Sequence, residues 1–188
     1  MYIKTVNIRL SFACLFLVLG ISGCGSNTTS APSSPTAFGN IYKISDNREM
    51  PGWTQDPATP LWTGKGTDLH TKIDGGEATY TQYGCLFAMY QNLIGPDPQQ
   101  CVLVAMDFGT DTNATSMFAA EQQLNSAAVP IPGYDASTAI GAEVLSGITA
   151  YAHIKTSYFE LQLIGYSDDA SAAQVAAKFL DVLKSKTN

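Results

Sequence analysis

His70, Asp74, Glu77 and Thr81 recur at intervals of four, three and four residues, the spacing that lines side chains along one face of an α-helix. Imidazole and carboxylates so arranged can converge on one cation or act as acid and base. A metal needs a further donor from elsewhere, and His153 is the other histidine of the chain. The competing reading of the same face is a solvated helix surface with a weak His–Asp contact. Other chemistries find less support. There is no Gly-x-Ser-x-Gly elbow. A Cys–His pair would join Cys85 or Cys101 to His70 or His153, which linear spacing does not reveal. Gly64-Lys65-Gly66-Thr67 fails as a phosphate loop: Thr59 stands where its first glycine belongs, and Gly66 where Ser or Thr must follow the lysine. His70, Asp74 and Glu77 are therefore the metal and acid–base candidates, and no catalytic residue or cofactor is assigned.

A different chemistry is written at the start of the chain. Lys4 and Arg9 precede an apolar run from Leu10 to Ile21, and small residues then lead to Cys24. This is a secretory signal whose cleavage point is a cysteine. Ile21-Ser22-Gly23-Cys24 resembles the lipobox of bacterial lipoproteins. In that family the cysteine receives a diacylglycerol on sulfur, the chain is cut before it, and the new amine is acylated. The run of 12 residues from Leu10 to Ile21 makes about 18 Å of helix, whereas a bilayer core needs roughly 30 Å. Length thus favours a lipid anchor on Cys24 over a transmembrane span. One acyl chain binds reversibly, whereas three on one cysteine attach the protein durably to the lipid bilayer. Gly25 follows the cysteine, where lipoproteins retained in the inner membrane often carry Asp. The resemblance implies the outer membrane where the source has one, and otherwise the outer face of the cell membrane.

Residues 1–23 read as the signal, 24–40 as the lipidated cysteine with a flexible tether, and 41–188 as one domain. The signal holds two of the chain's ten basic residues and none of its 16 acidic ones, so the mature chain carries a formal charge of −8. A surface of that sign makes nucleic acid a poor partner. The tether, Gly25 to Asn40, is small and polar with two prolines, and spans about 22 Å as a flexible coil. Of the four cysteines, Cys14 leaves with the signal and Cys24 takes lipid, which leaves Cys85 and Cys101. Two cysteines in an exported domain suggest a disulfide, but their spacing on neighbouring strands argues against one.

Residues 41–66 read as irregular, with one short strand at most around Ile41–Ile44. Both tryptophans, Trp53 and Trp62, lie near prolines and are expected to pin this wrapping segment to the core. A helix is predicted from Thr67-Asp68 to Gly84, with Leu69, Ile73, Gly76, Tyr80 and Tyr83 as its apolar stripe. Strands follow at Cys85–Leu93 and Cys101–Phe108, joined by a turn at Gly95-Pro96-Asp97-Pro98. That turn places Cys101 opposite about Asn92 and leaves the two cysteines more than about 20 Å apart along the ladder, beyond the roughly 7 Å a disulfide spans. A helix over Thr112–Leu124 precedes strands at Ala142–Ser146, Thr149–Ile154 and Tyr158–Tyr166. A last helix begins after Ser167-Asp168-Asp169. The fold class expected is α+β, an antiparallel sheet of about five strands with two to three helices packed on it.

Pro51-Gly52-Trp53, Leu69, Ile73-Asp74-Gly75-Gly76-Glu77-Ala78, Tyr80 and Tyr83-Gly84 resemble the Trp segment and helix of an uncharacterised bacterial family, domain of unknown function 6599. Met106-Asp107-Phe108-Gly109, Ala114–Ala119 and Tyr158-Phe159-Glu160-Leu161 extend the resemblance over most of residues 50–188. His70 and Asp74 depart from it, standing where that family often has Tyr and Asn. The resemblance implies an α+β envelope domain and carries no activity. The expected function is a membrane-tethered, non-enzymatic binding or accessory domain with an envelope protein as a possible partner. The alternative is an envelope hydrolase or metal-dependent enzyme using His70, Asp74 and Glu77.

Overall fold

The computed structural model describes residues 31–45, 47–73, 77–125 and 128–187. One mixed α+β layer arrangement accounts for them. Five long strands form its sheet: β3 (Phe87–Ile94), β4 (Gln100–Asp107), β5 (Ala139–Val144), β6 (Gly147–Ile154) and β7 (Ser157–Ile164). Two short strands, β1 (Thr54–Gln55) and β2 (Trp62–Lys65), share the outer edge of β3, and the order across the sheet is β1-β3-β4-β7-β6-β5. Every pairing is antiparallel. The count exceeds the expected five because residues 41–66, expected to be irregular, contribute both edge strands.

Local chemistry explains the hairpins. Two-residue turns close β5–β6 at Leu145-Ser146 and β6–β7 at Lys155-Thr156, with Ser146 and Lys155 at φ of 62° and 53°; a positive φ at the first turn residue, as at Lys155, matches the twist of the strands it joins. Alternation then sends side chains to two faces. Leu103 and Ala105, Ile148 and Ala150, Phe159 and Leu161 line the first face, and Val104, Met106, Ile140 and Tyr158 line the second.

The first face is covered by α1 (Pro35–Tyr42) and α4 (Asp169–Ser185). The α4 N-terminus is capped as its acidic opening predicts, with Asp168 Oδ1 accepting from Ser171 N at 2.8 Å. The α1 helix corrects the expectation of a tether through residue 40 and a short strand at 41–44. Ser34 caps it, Pro35 opens it, and Phe38 is fully buried beside Tyr42, which in turn meets Phe159 edge-on. Buried Gln91 then accepts from Ile44 N and donates to Ile44 O, both at 2.9 Å, fastening the chain after α1 to β3. Trp53 is buried edge-on to Phe179 of α4, which places one of the two tryptophans as a pin.

The second face is covered at one end by a 3-10 helix (Gly66–Thr71), α2 (Glu77–Gln82) and α3 (Asp111–Leu124). The single helix expected from Thr67 to Gly84 is thus corrected to two short ones. Its stripe nevertheless packs together, since Leu69 and Tyr80 are buried in one cluster with Ile73 and Tyr83 against it. A Cβ on Gly66 would sit 2.2 Å from the Cys85 carbonyl oxygen, so glycine is what lets the 3-10 helix meet the strand. Cys101 pairs with Leu93, one residue from the expected Asn92. Cys101 lies in the core of the first face and Cys85 in that of the second, both as free, buried thiols. The sheet stands between them.

Candidate functional site

The helices leave part of the second face open. Register aligns Tyr90, Val104, Glu160 and Tyr151 in one row across β3, β4, β7 and β6, and Asn92, Val102, Gln162 and Thr149 in the next. Neighbouring strands are about 4.8 Å apart, so the two tyrosines of the first row stand about 14 Å from each other. Between them lies a cleft of about 330 Å³, with Val102, Val104, Thr149 and Gln162 on its floor and Lys72 and Ile73 at one side. Glu160 lines it. Two roomier grooves, of about 560 and 510 Å³, lie elsewhere, the first along Met50, Trp53 and Val182 and the second along Val129, Pro130 and Ala173, and their charges include exposed Lys178, Asp181 and Glu143.

A carboxylate in the middle of a sheet is costly unless something compensates it. Tyr80 of α2 donates its hydroxyl to Glu160 Oε1 at 2.6 Å, the length of a charge-assisted O–H···O bond. Among the described residues no lysine or arginine pairs with Glu160. Desolvation pushes its pKa up to about 7; the Tyr80 bond and the nearby Tyr158 hydroxyl work against that rise, and the negative charge of Glu121 on α3 adds to it. Burial raises Glu121 as well. Tyr158 on β7 is fully buried, and its hydroxyl has no hydrogen-bond partner among the described residues. Tyr151 is pushed up to about 12 by burial and by the charge of Glu160. Near neutrality such a carboxyl can hold a proton and donate a hydrogen bond, or release it and serve as a counter-ion.

The residues singled out by spacing are not gathered here. His70 lies on the 3-10 helix, exposed, with Nδ1 2.9 Å from the carbonyl oxygen of Thr67 in its own turn. Glu77 opens α2, and its buried Oε2 has no partner among the described residues. Asp74 lies outside the described residues, as do Cys24 and the rest of the lipobox. His153 sits against Phe118, with Nε2 3.1 Å from the Ser137 carbonyl oxygen. Among the described residues no three His, Cys, Asp or Glu side chains are grouped to hold a metal. Glu160 and Tyr90 escaped sequence reasoning, and Tyr80 entered only as an apolar-stripe residue. The available signal was an acidic residue inside the apolar run Tyr158-Phe159-Glu160-Leu161.

No family model matches the chain, and no curated protein matches it. Among solved structures it is similar to the extracellular domain of PknH from Mycobacterium tuberculosis, at 12% identity and a TM-score of 0.49, over 82% of this chain and 98% of that one.

Proposed function

We propose that this chain is a non-enzymatic binding domain held at the bacterial cell envelope by lipid on Cys24, with the Glu160 cleft as its binding site. The observation that carries the reading is a desolvated carboxylate, bonded to Tyr80, at the edge of an open cleft lined by Tyr90 and Tyr151. Ligand sites combine an apolar lining with a few convergent polar groups, and a strongly shifted ionisable group in a cleft marks a functional place. The lipobox resemblance at Ile21-Ser22-Gly23-Cys24 supports the anchor. No helix of the described residues is long and apolar enough to cross a membrane.

Native mass spectrometry of the full chain extracted from its own membrane tests the site. A small molecule retained by the wild type and lost from Gln162→Trp, which fills the cleft, supports it. Equal retention by both overturns it. Cys24→Ser tests the anchor independently: it should move the chain out of the membrane fraction, and unchanged fractionation would rule the anchor out.

A further inference from the structure

We infer that the cleft between Tyr90 and Tyr151 receives a small ligand bearing one ammonium group, with the Glu160 carboxylate as its counter-ion. This rests on the binding-site reading above. Glu160 stands in the middle of the row from Tyr90 to Tyr151, and Tyr80 occupies its Oε1 from the α2 side. The Tyr158 hydroxyl is close enough to steady the carboxylate as well, and among the described residues no basic side chain forms an ion pair with it. An apolar ligand would desolvate this carboxylate further without compensation, and an anion would meet both Glu160 and Glu121. An ammonium group supplies the missing positive charge. The Tyr151 ring, one strand from Glu160, adds cation–π attraction, and Tyr90, Val102, Val104 and Ile73 suit its alkyl portion.

Size and rim charge narrow the class. About 330 Å³ admits a small molecule and not a folded partner. Lys72 is exposed on the cleft wall and repels a second cationic centre, so the geometry favours a monoamine over a polyamine. The ionisable groups facing Glu160 are Tyr80 on α2, Glu121 on α3, Tyr151 on β6 and Tyr158 beside it on β7. Tyr90 and Lys72 complete the cleft. The tyrosines among them that are shifted are shifted upward, so Glu160 is the group that changes charge near neutrality.

The experiment is an NMR titration of the full chain in detergent with three probes of one shape: butylammonium, butyrate and butanol. Butylammonium should move the resonances of Val102, Val104 and Tyr151. Its affinity should fall about tenfold in Glu160→Gln and about tenfold from pH 8 to pH 6, as protonation discharges the carboxylate. Binding of butanol or butyrate as tight as that of butylammonium, unaffected by Glu160→Gln, overturns the ammonium inference and leaves the cleft as a binding site. No perturbation of the cleft by any probe overturns both.

Discussion

Folding and titration are coupled at Glu160 with a definite sign. Its ordinary pKa of 4.5 describes the unfolded chain, and desolvation in the fold raises it to about 7. Below pH 4.5 both states hold the proton and the group is neutral to stability. Between about 4.5 and 7 the unfolded chain releases its proton first, so stability falls as pH rises, and the decrement is complete above the folded value. At 1.36 kcal/mol per pKa unit, the loss through this one group is about 3 kcal/mol. Urea denaturation should therefore show the wild type weakening from pH 5 to pH 8 relative to Glu160→Gln, which cannot ionise and keeps an acceptor for Tyr80. Parallel pH profiles for the two proteins would contradict the assignment.

Among the elements, α1 makes the boldest demand on packing. It is eight residues long, too short to persist on propensity alone, so its burial against β3 must hold it. Phe38→Ala should cost about 3–5 kcal/mol in denaturant titration, whereas a chain in which residues 35–42 were only tether would lose almost nothing. Sequence reasoning placed the long strands and the last two helices in order, with β5 set two to three residues late (Ala142–Ser146 against Ala139–Val144), because alternation, turn residues and caps such as Asp168 are local signals. It read α1 as tether because Ser34-Pro35 looks like linker composition until Phe38 is seen to be buried. The helix expected from residue 67 failed differently. Leu69 and Tyr80 share a core, and their helical spacing arose from two short helices lying on one sheet face. The site itself was illegible for a reason of distance. Tyr80 and Glu160 are 80 residues apart, and the row from Tyr90 to Tyr151 exists only once four strands are in register.

At the scale of the whole molecule, the sheet separates two cores and their thiols. Cys85 and Cys101 are free, and burial pushes the Cys85 thiol up to about 12 and raises Cys101 as well. Both should resist alkylation in the native protein and react on unfolding, and a reductant should leave the melting temperature unchanged. A reductant-dependent drop in that temperature would mean that a bond links them. The same sheet carries the cleft on one face and the α1–α4 core on the other, so a charge at Glu160 is felt by the fold as well as by a ligand.

The most direct test is to titrate the glutamate side-chain carboxyl carbons of the full chain by ¹³C NMR, using Glu160→Gln to assign the signal. Glu160 should titrate near 7. Tyr80→Phe, by removing the 2.6 Å hydrogen bond that steadies the anion, should move it higher. A Glu160 carboxyl titrating in the ordinary range near 4.5, unmoved by Tyr80→Phe, would contradict the desolvated carboxylate on which the binding site rests.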